Sequence, residues 1–410
     1  MAPQGCPVAF CSQEMILTQC AVCATELGLS LGKKCGRCST RYCGPECQVR
    51  HWKEGGHDKL CKQIKRSGGA EQYNANKKYS EAVAVAAEAC AEDTKGQTCY
   101  ICTQASHWKT KEGLVRMCAC RGTAGFAHVS CLVEEVKILT AEAEENNLDG
   151  DRWAEKWRRW YSCSLCEQAY HGVVACALGW ACWKTCVGRP EADRLRISAM
   201  SLLGNGLCEV KNYKDALTVD EARFSMLRRF GASENDMLGV QGNLAGTYHA
   251  LGQREKALSM ERDVYSGRLK LHGEEHEKTL LAARNYASTL KDLHRSEEAK
   301  KLLRKSIPVA RRVHGESSKA LTIMRWIYGE ALYRDRSATL DDLHEAVATF
   351  EEIQPTARRT LGGEHKIVRE IEKSLKISRA AKCTAVAGGM ESLREAIAAN
   401  LLVLPVDIEP

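Results

Sequence analysis

The chain has 410 residues, of which 44% are hydrophobic and 27% charged, which is room for about three domains of roughly 150 residues and excludes a mainly disordered polypeptide. No apolar run approaches the ~20 residues that cross a bilayer; the nearest, Gly172 to Trp183, is twelve residues long and stops at Lys184. The formal net charge is +7, and the unusual number is 22 cysteines, seventeen of them before residue 167 and only Cys383 beyond residue 208.

Met1 to Phe10 carry no basic stretch and no long apolar core, so the expected compartment is reducing, cytoplasmic or nuclear. Disulfides rarely persist there, and dense cysteine reads first as metal binding. The pairs Cys20/Cys23, Cys35/Cys38, Cys99/Cys102 and Cys163/Cys166 are each Cys-x2-Cys, a turn that lets two thiolates reach one tetrahedral Zn²⁺. Four Zn²⁺ held by fourteen thiolates would remove six positive charges and leave about +1. The basic balance therefore gives no reason to expect a nucleic-acid partner. No membrane partner is expected either.

Residues 20–61 hold eight candidate ligands: Cys20, Cys23, Cys35, Cys38, Cys43, Cys47, His57 and Cys61. So short a segment cannot bury a sufficient core, and bound zinc would supply the folding energy. Cys47 to Cys61 is expected to include a helix that brings His57 and Cys61 onto one face. Tyr42-Cys43, Cys47-Gln48, Trp52 and the closing His57-x3-Cys61 resemble the MYND zinc finger. The resemblance implies alternating pairs: Cys20, Cys23, Cys43 and Cys47 at site 1, and Cys35, Cys38, His57 and Cys61 at site 2. His51 competes with His57, because Trp52 and His57 are further apart than usual. It also implies a proline-containing peptide as partner, or a role as a zinc-stapled cap.

Residues 62–98 read as a helical linker without chemistry, with Cys90 a small buried hydrophobe. The next series is Cys99, Cys102, Cys118, Cys120, His128, Cys131, Cys163 and Cys166, in C4HC3 order. Cys118-Ala-Cys120-Arg121-Gly122 and Ala127-His128-Val129-Ser130-Cys131-Leu132 resemble the RING-CH (variant RING) domain of E3 ubiquitin ligases, here over 99–170. A PHD finger shares the ligand order, but Cys118-x-Cys120-x7-His128 favours RING-CH. The resemblance implies a cross-brace, with Cys99, Cys102, His128 and Cys131 at site 3 and Cys118, Cys120, Cys163 and Cys166 at site 4. It implies E2~ubiquitin as partner and Ile101 as an apolar contact to E2, with no catalytic nucleophile. Three features depart from the pattern: 31 residues precede Cys163, Cys163-Ser164-Leu165-Cys166 lacks a proline, and Glu167 stands near the usual place of a basic residue. Within the gap, Trp153, Trp157 and Trp160 fall on one helical face. They are expected to pack against the zinc core or the next domain rather than form an exposed platform with Arg152, Arg158 and Arg159.

A helical connector is expected over 171–194. From 195 to 382 the chain repeats: Asn243-Leu-Ala returns as Asn285-Tyr-Ala, and His272-Gly-Glu274 as His314-Gly-Glu316, each 42 residues on. Four helix-pair units follow, roughly 195–235, 236–277, 278–319 and 320–365, with a capping helix over 364–382 and a tail over 383–410. A fixed period of this size means stacked units with a shared core. It resembles tetratricopeptide repeats of the kinesin-light-chain type, with Ala245, Ala257, Ala287 and Ala299 as close-packing positions and a groove for a substrate or peptide. Cys6, Cys11, Cys176, Cys182, Cys186, Cys208 and Cys383 are expected to be ordinary buried thiols. The fold class is mainly α, two small zinc-stapled α+β modules followed by an α-solenoid. The function expected is a zinc-binding RING-CH-type E3 ubiquitin ligase that recruits substrate through its finger and repeats. The alternative is a non-enzymatic zinc-finger adaptor or scaffold, chromatin-associated through PHD-like peptide reading.

Overall fold

A computed structural model describes residues 20–398, except 24, 26, 28–31, 336 and 364. Cys6 and Cys11 lie outside the described residues. The chain forms two compact units, Met1–Ser233 and Glu234–Pro410.

The first unit opens with a two-stranded antiparallel ribbon, β1 (Lys33–Lys34) and β2 (Arg41–Tyr42), in which Lys33 pairs with Tyr42. Two short helices follow, α1 (Pro45–Lys53) and α2 (His57–Arg66). Their apolar content is slight, as expected for a module shaped by metal. Tyr42 is fully buried among the cysteines.

Next come α3 (Ala70–Ala89), α4 (Val129–Glu145), α5 (Gly150–Arg158), α6 (Gly172–Cys186), α7 (Arg194–Glu209) and α8 (Tyr213–Arg229). One continuous core runs through them. It takes Ala75, Val83 and Ala86 from α3, Leu132 and Val136 from α4, most of α6, Leu203 from α7 and Met226 from α8. The segment read as a linker is therefore core, and α3 packs along α6. α6 is apolar around its whole circumference because neighbours cover it on several sides. Gly179 and Gly206 let α6 and α7 touch backbone to backbone. A Cβ on Gly206 would lie 2.9 Å from the Ala175 carbonyl, and one on Gly179 3.1 Å from that of Leu202. The stretch read as a connector is thus the central helix of this unit. Cys176, Cys182 and Cys186 are buried in it, and Cys90 is buried at the end of α3, while Cys208 is half-buried and Cys383 is exposed. The Arg196 guanidinium is buried against Trp183 and donates to Glu71 at 2.9 Å and to the Val187 carbonyl at 2.7 Å, tying α7 to α3.

The second unit contains α9 (Glu234–Ala250), α10 (Arg254–His272), α11 (Glu277–Asp292), α12 (Ser296–His314), α13 (Lys319–Tyr333), α14 (Leu340–Leu361) and α15 (Lys366–Ala398). Each helix packs on the next, in pairs. The period shows in the helix ends. α10, α12 and α14 each stop at a glycine with φ of 81°, 77° and 90° (Gly273, Gly315 and Gly362), a conformation that favours glycine. The helices that follow are capped by side chains: His276 accepts from the Lys278 amide at 3.1 Å and Ser318 from the Leu321 amide at 3.2 Å. Ala245, Ala257, Ala287 and Ala299 have no exposed surface. Two details differ from the sequence reading. The helix pair α7–α8, read as the first repeat, shares its core with α3 and α6. The closing helix runs past 382 and breaks at Gly389, where φ is 76°.

Candidate metal centres

The four tetrads converge. Cys20, Cys23, Cys43 and Cys47 come together, as do Cys35, Cys38, His57 and Cys61; Cys99, Cys102, His128 and Cys131; and Cys118, Cys120, Cys163 and Cys166. Within each tetrad the donor atoms all lie within 4.8 Å of one another.

Local backbone explains why. In all four Cys-x2-Cys turns the first cysteine amide donates to a carbonyl five residues on: Cys20 to Thr25, Cys35 to Thr40, Cys99 to Gln104 and Cys163 to Gln168, at 2.8–3.0 Å. In three of them the residue after the second cysteine is left-handed: Ser39, Thr103 and Glu167, with φ of 63°, 62° and 58°. The chain thereby curls around its own sulfurs. Backbone amides inside the turns point at the thiolates, Ile101 to Cys99 Sγ and Leu165 to Cys163 Sγ, each at 3.4 Å.

The spacings suit a tetrahedral ion. Metal–sulfur bonds of ~2.3 Å separate sulfurs by about 3.7 Å. The Sγ distances are 3.5 Å for Cys23–Cys43, 3.8 Å for Cys35–Cys61 and 3.7 Å for Cys120–Cys163. His57 turns Nε2 toward Cys38 at 3.4 Å, whereas His128 turns Nδ1 toward Cys102 at 3.4 Å. His51 is not in a tetrad. Its Nδ1 shares a hydrogen bond of 3.0 Å with the Tyr42 hydroxyl.

The electrostatics make the same demand. The hydrogen bond from Cys118 draws the Cys163 thiol down to about 4, and the same contact pushes Cys118 far upward. Burial pushes Cys61 up to about 12. Sulfurs packed this closely cannot all ionise without a cation among them, and Zn²⁺ supplies that charge. Burial also lowers the His128 pKa, which keeps the imidazole neutral and able to ligate. These are structural Zn²⁺ sites with four protein donors each, leaving no open position for water.

Several supports were not legible in sequence. Glu112 accepts from the Ser130 amide at 2.6 Å and the Ser130 hydroxyl at 2.9 Å, fixing the first turn of α4, which carries Cys131. The Tyr100 and Ser164 hydroxyls meet at 3.1 Å and join the turns of sites 3 and 4. As a result Ile101 and Leu165, one within each turn, stay solvent-facing, 40% and 52% exposed. Glu167 pairs with Arg158 and, at 2.8 Å, with Arg159. Trp160 is buried, Trp157 and Trp153 are packed on the same core, and Arg194 covers the Trp153 ring. That is the packing expectation rather than the exposed platform.

Gly125 offers a direct check. Its φ is 83°, and a Cβ there would sit 2.6 Å from Cys120 Cβ and 2.8 Å from Cys120 Sγ. Gly125→Ala is expected to cost about 2–3 kcal/mol through backbone strain alone. It should also lower the zinc content from four ions per chain to three, read by atomic absorption. Retention of four ions at wild-type stability would contradict this geometry.

Comparison with known proteins agrees with the architecture. The MYND finger model matches residues 20–61, the RING-variant domain model 99–147 and the tetratricopeptide repeat model 236–312. Cys163 and Cys166 lie beyond the RING-variant match because the end of α4 and all of α5 stand before them. No curated protein matches the chain. Among solved structures, the nearly identical repeats of a Podosopora anserina kinesin light chain are 20% identical, covering 51% of this chain and 98% of that one at a TM-score of 0.39. BtubC (BKLC) from P. vanneervenii is 13% identical, covering 69% of this chain and 94% of that one, also at 0.39. No helix among the described residues is long and apolar enough to cross a membrane. The chain carries, in order, a MYND finger, a RING-variant domain and tetratricopeptide repeats, and it is a zinc-finger protein built for protein–protein interaction.

Proposed function

We propose that this chain is a RING-CH-type E3 ubiquitin ligase. The four tetrads are its zinc ligands, and the metal's part is to hold the two fingers in shape. Ile101 and Leu165 form the apolar contact for E2, and this pair is the observation that carries the reading. Both are exposed, and they are joined through Tyr100 and Ser164 on two zinc-fixed turns. The chemistry asked of the domain is positioning, since the thioester is on E2 and the attacking amine is on the substrate. Arg158 and Arg159 bring hydrogen-bond donors beside Glu167, which itself has none when ionised. Val49 and Trp52, exposed on α1, suit a proline-containing peptide. The groove of the repeats suits a substrate segment.

A panel of E2 enzymes with the full chain tests this. Ile101→Ala and Leu165→Ala should each lower ubiquitin-chain formation at least ~10-fold, the effect of losing about 1.4 kcal/mol of contact. Zinc content should not change. Absence of chains from the wild type with every E2 would sink the reading.

One observation favours a second reading, a non-enzymatic adaptor. Glu167 holds the two neighbouring guanidiniums in ion pairs, which occupies the donors a ligase would turn outward. In that case the chain captures peptide without measurable E2 affinity, and Ile101→Ala is silent.

A further inference from the structure

The four sites are not equally covered. Cys23 and Cys43 are exposed, and Cys47 beside them is half-buried. All four donors of the second site, Cys35, Cys38, His57 and Cys61, are buried. The third site has only Cys102 partly open, and the fourth has half-buried cysteines but none exposed. The two exposed sulfurs are also neighbours, with Sγ atoms 3.5 Å apart. A disulfide at ~2.05 Å needs them to close by about 1.5 Å. Surface side chains can make that movement by rotating. Cys43 and Cys47 are equally close, but Cys47 is less open and sits in the first turn of α1.

We propose that Cys23 and Cys43 form an oxidation site, at which hydrogen peroxide makes a disulfide and opens the outer site of the MYND finger before the other three are affected. A zinc ligand is a thiolate, the nucleophilic form of sulfur, and exposure decides which thiolate a peroxide reaches. The Cys23 sulfur attacks one peroxide oxygen, the O–O bond breaks, and the departing hydroxide takes a proton from solvent. The sulfenic acid so formed is attacked by the Cys43 thiolate. The S–S bond forms, the S–O bond breaks, and a second hydroxide leaves as water with a second solvent proton. Two sulfurs are oxidised and one peroxide is reduced to two waters. With only Cys20 and Cys47 left, the outer site no longer holds its ion. α1, anchored there through Cys47, loses its N-terminal support, and with it the placement of Val49 and Trp52. The buried second site keeps α2 in place, so the change is local and a thiol reductant with Zn²⁺ reverses it. The inference needs the zinc assignment but not ligase activity.

The test is a peroxide titration of the full chain with a chromophoric zinc chelator, followed by disulfide mapping by mass spectrometry. The first equivalent of peroxide should release about one zinc ion per chain and yield a Cys23–Cys43 cross-link. The remaining ions should leave at least ten times more slowly. First oxidation at Cys35, Cys38 or Cys61, or within 99–166, overturns the proposal, as does equal release from all sites. Cys43→His keeps a donor but cannot form the disulfide, and its first release should be at least ten times slower. An unchanged rate in that variant also overturns it. The wild-type map decides the matter even if that variant does not fold. An untreated chain with fewer than four zinc ions overturns the ligand assignment, and the proposal with it.

Discussion

Stripping zinc from the chain should unfold far more than the two fingers. Helices α3, α6, α7 and α8 should lose protection together with residues 20–61 and 99–166, while 234–398 stays helical. The reason is the shared core. Val129, Leu132 and Val136, in the helix begun by His128 and Cys131, pack in one cluster with α3, α6 and α7. Site 4 fixes Cys163 and, beside it, Trp160 and Tyr170, which belong to the same cluster. Apparent zinc-binding energies of ~10–16 kcal/mol per structural site exceed the ~5–15 kcal/mol by which a whole domain is stable. The first unit cannot keep its packing without its ions. The second unit has its own core of leucine, isoleucine and aromatic side chains around Phe350 and contains no tetrad. Hydrogen exchange with mass spectrometry, before and after chelation, separates the outcomes. Slow exchange persisting in α6 to α8 after complete metal loss would show that the shared core stands alone, contrary to this account.

That result marks a boundary in what the sequence discloses. The sixteen ligands were legible because metal binding is written in residue type and short spacing, both of which are local. The helix pairs after residue 236 were legible because Ala257 and Ala299, or Gly273 and Gly315, recur at a fixed interval with the same conformational task. The fate of α3 was not. Its buried face is Ala75, Val83 and Ala86, too sparse to announce a partner, and the partner, α6, begins 97 residues after Ala75 at Gly172. α6 has no polar side to indicate which way it faces. The period assigned α7 and α8 to the solenoid because it reports the shape of a helix pair, not the neighbour on which the pair stacks. At the sites, the sequence left His51 and His57 in competition. The Tyr42 hydroxyl separates them by engaging His51. The left-handed residues Ser39, Thr103 and Glu167 carry no sequence signature, since glycine would be the usual choice there. Glu167 read as a departure from a binding surface; it is also the backbone corner of a zinc turn.

Glu330→Ala should destabilise the second unit by about 3–5 kcal/mol, the usual consequence of leaving a buried charge without its partner. The Glu330 side chain is 4% exposed and joins three helices. It accepts from Lys291 on α11 at 2.7 Å, from Arg334 at the end of α13 at 2.7 Å, and from Ser374 on α15 at 3.3 Å. Ser374 in turn accepts from Trp326 Nε1 at 3.0 Å. Lys291, itself only 9% exposed, would be left with Asp292, which already serves His249. Arg334 is 47% exposed and can turn to water, so the stranded group is the lysine. The expected fall in melting temperature is about 10 °C at ~2–4 °C per kcal/mol for a unit of this size. The origin of the loss can be isolated. Glu330→Met with Lys291→Met removes both charges and keeps the volume, and replacing a whole buried pair by apolar side chains is often neutral. The double variant should therefore recover most of the stability that Glu330→Met loses. If the double variant were as unstable as Glu330→Met, the loss would come from packing or from Ser374 and Trp326. If Glu330→Ala moved the melting temperature by less than a degree, the cluster would contribute nothing to holding the last repeats together.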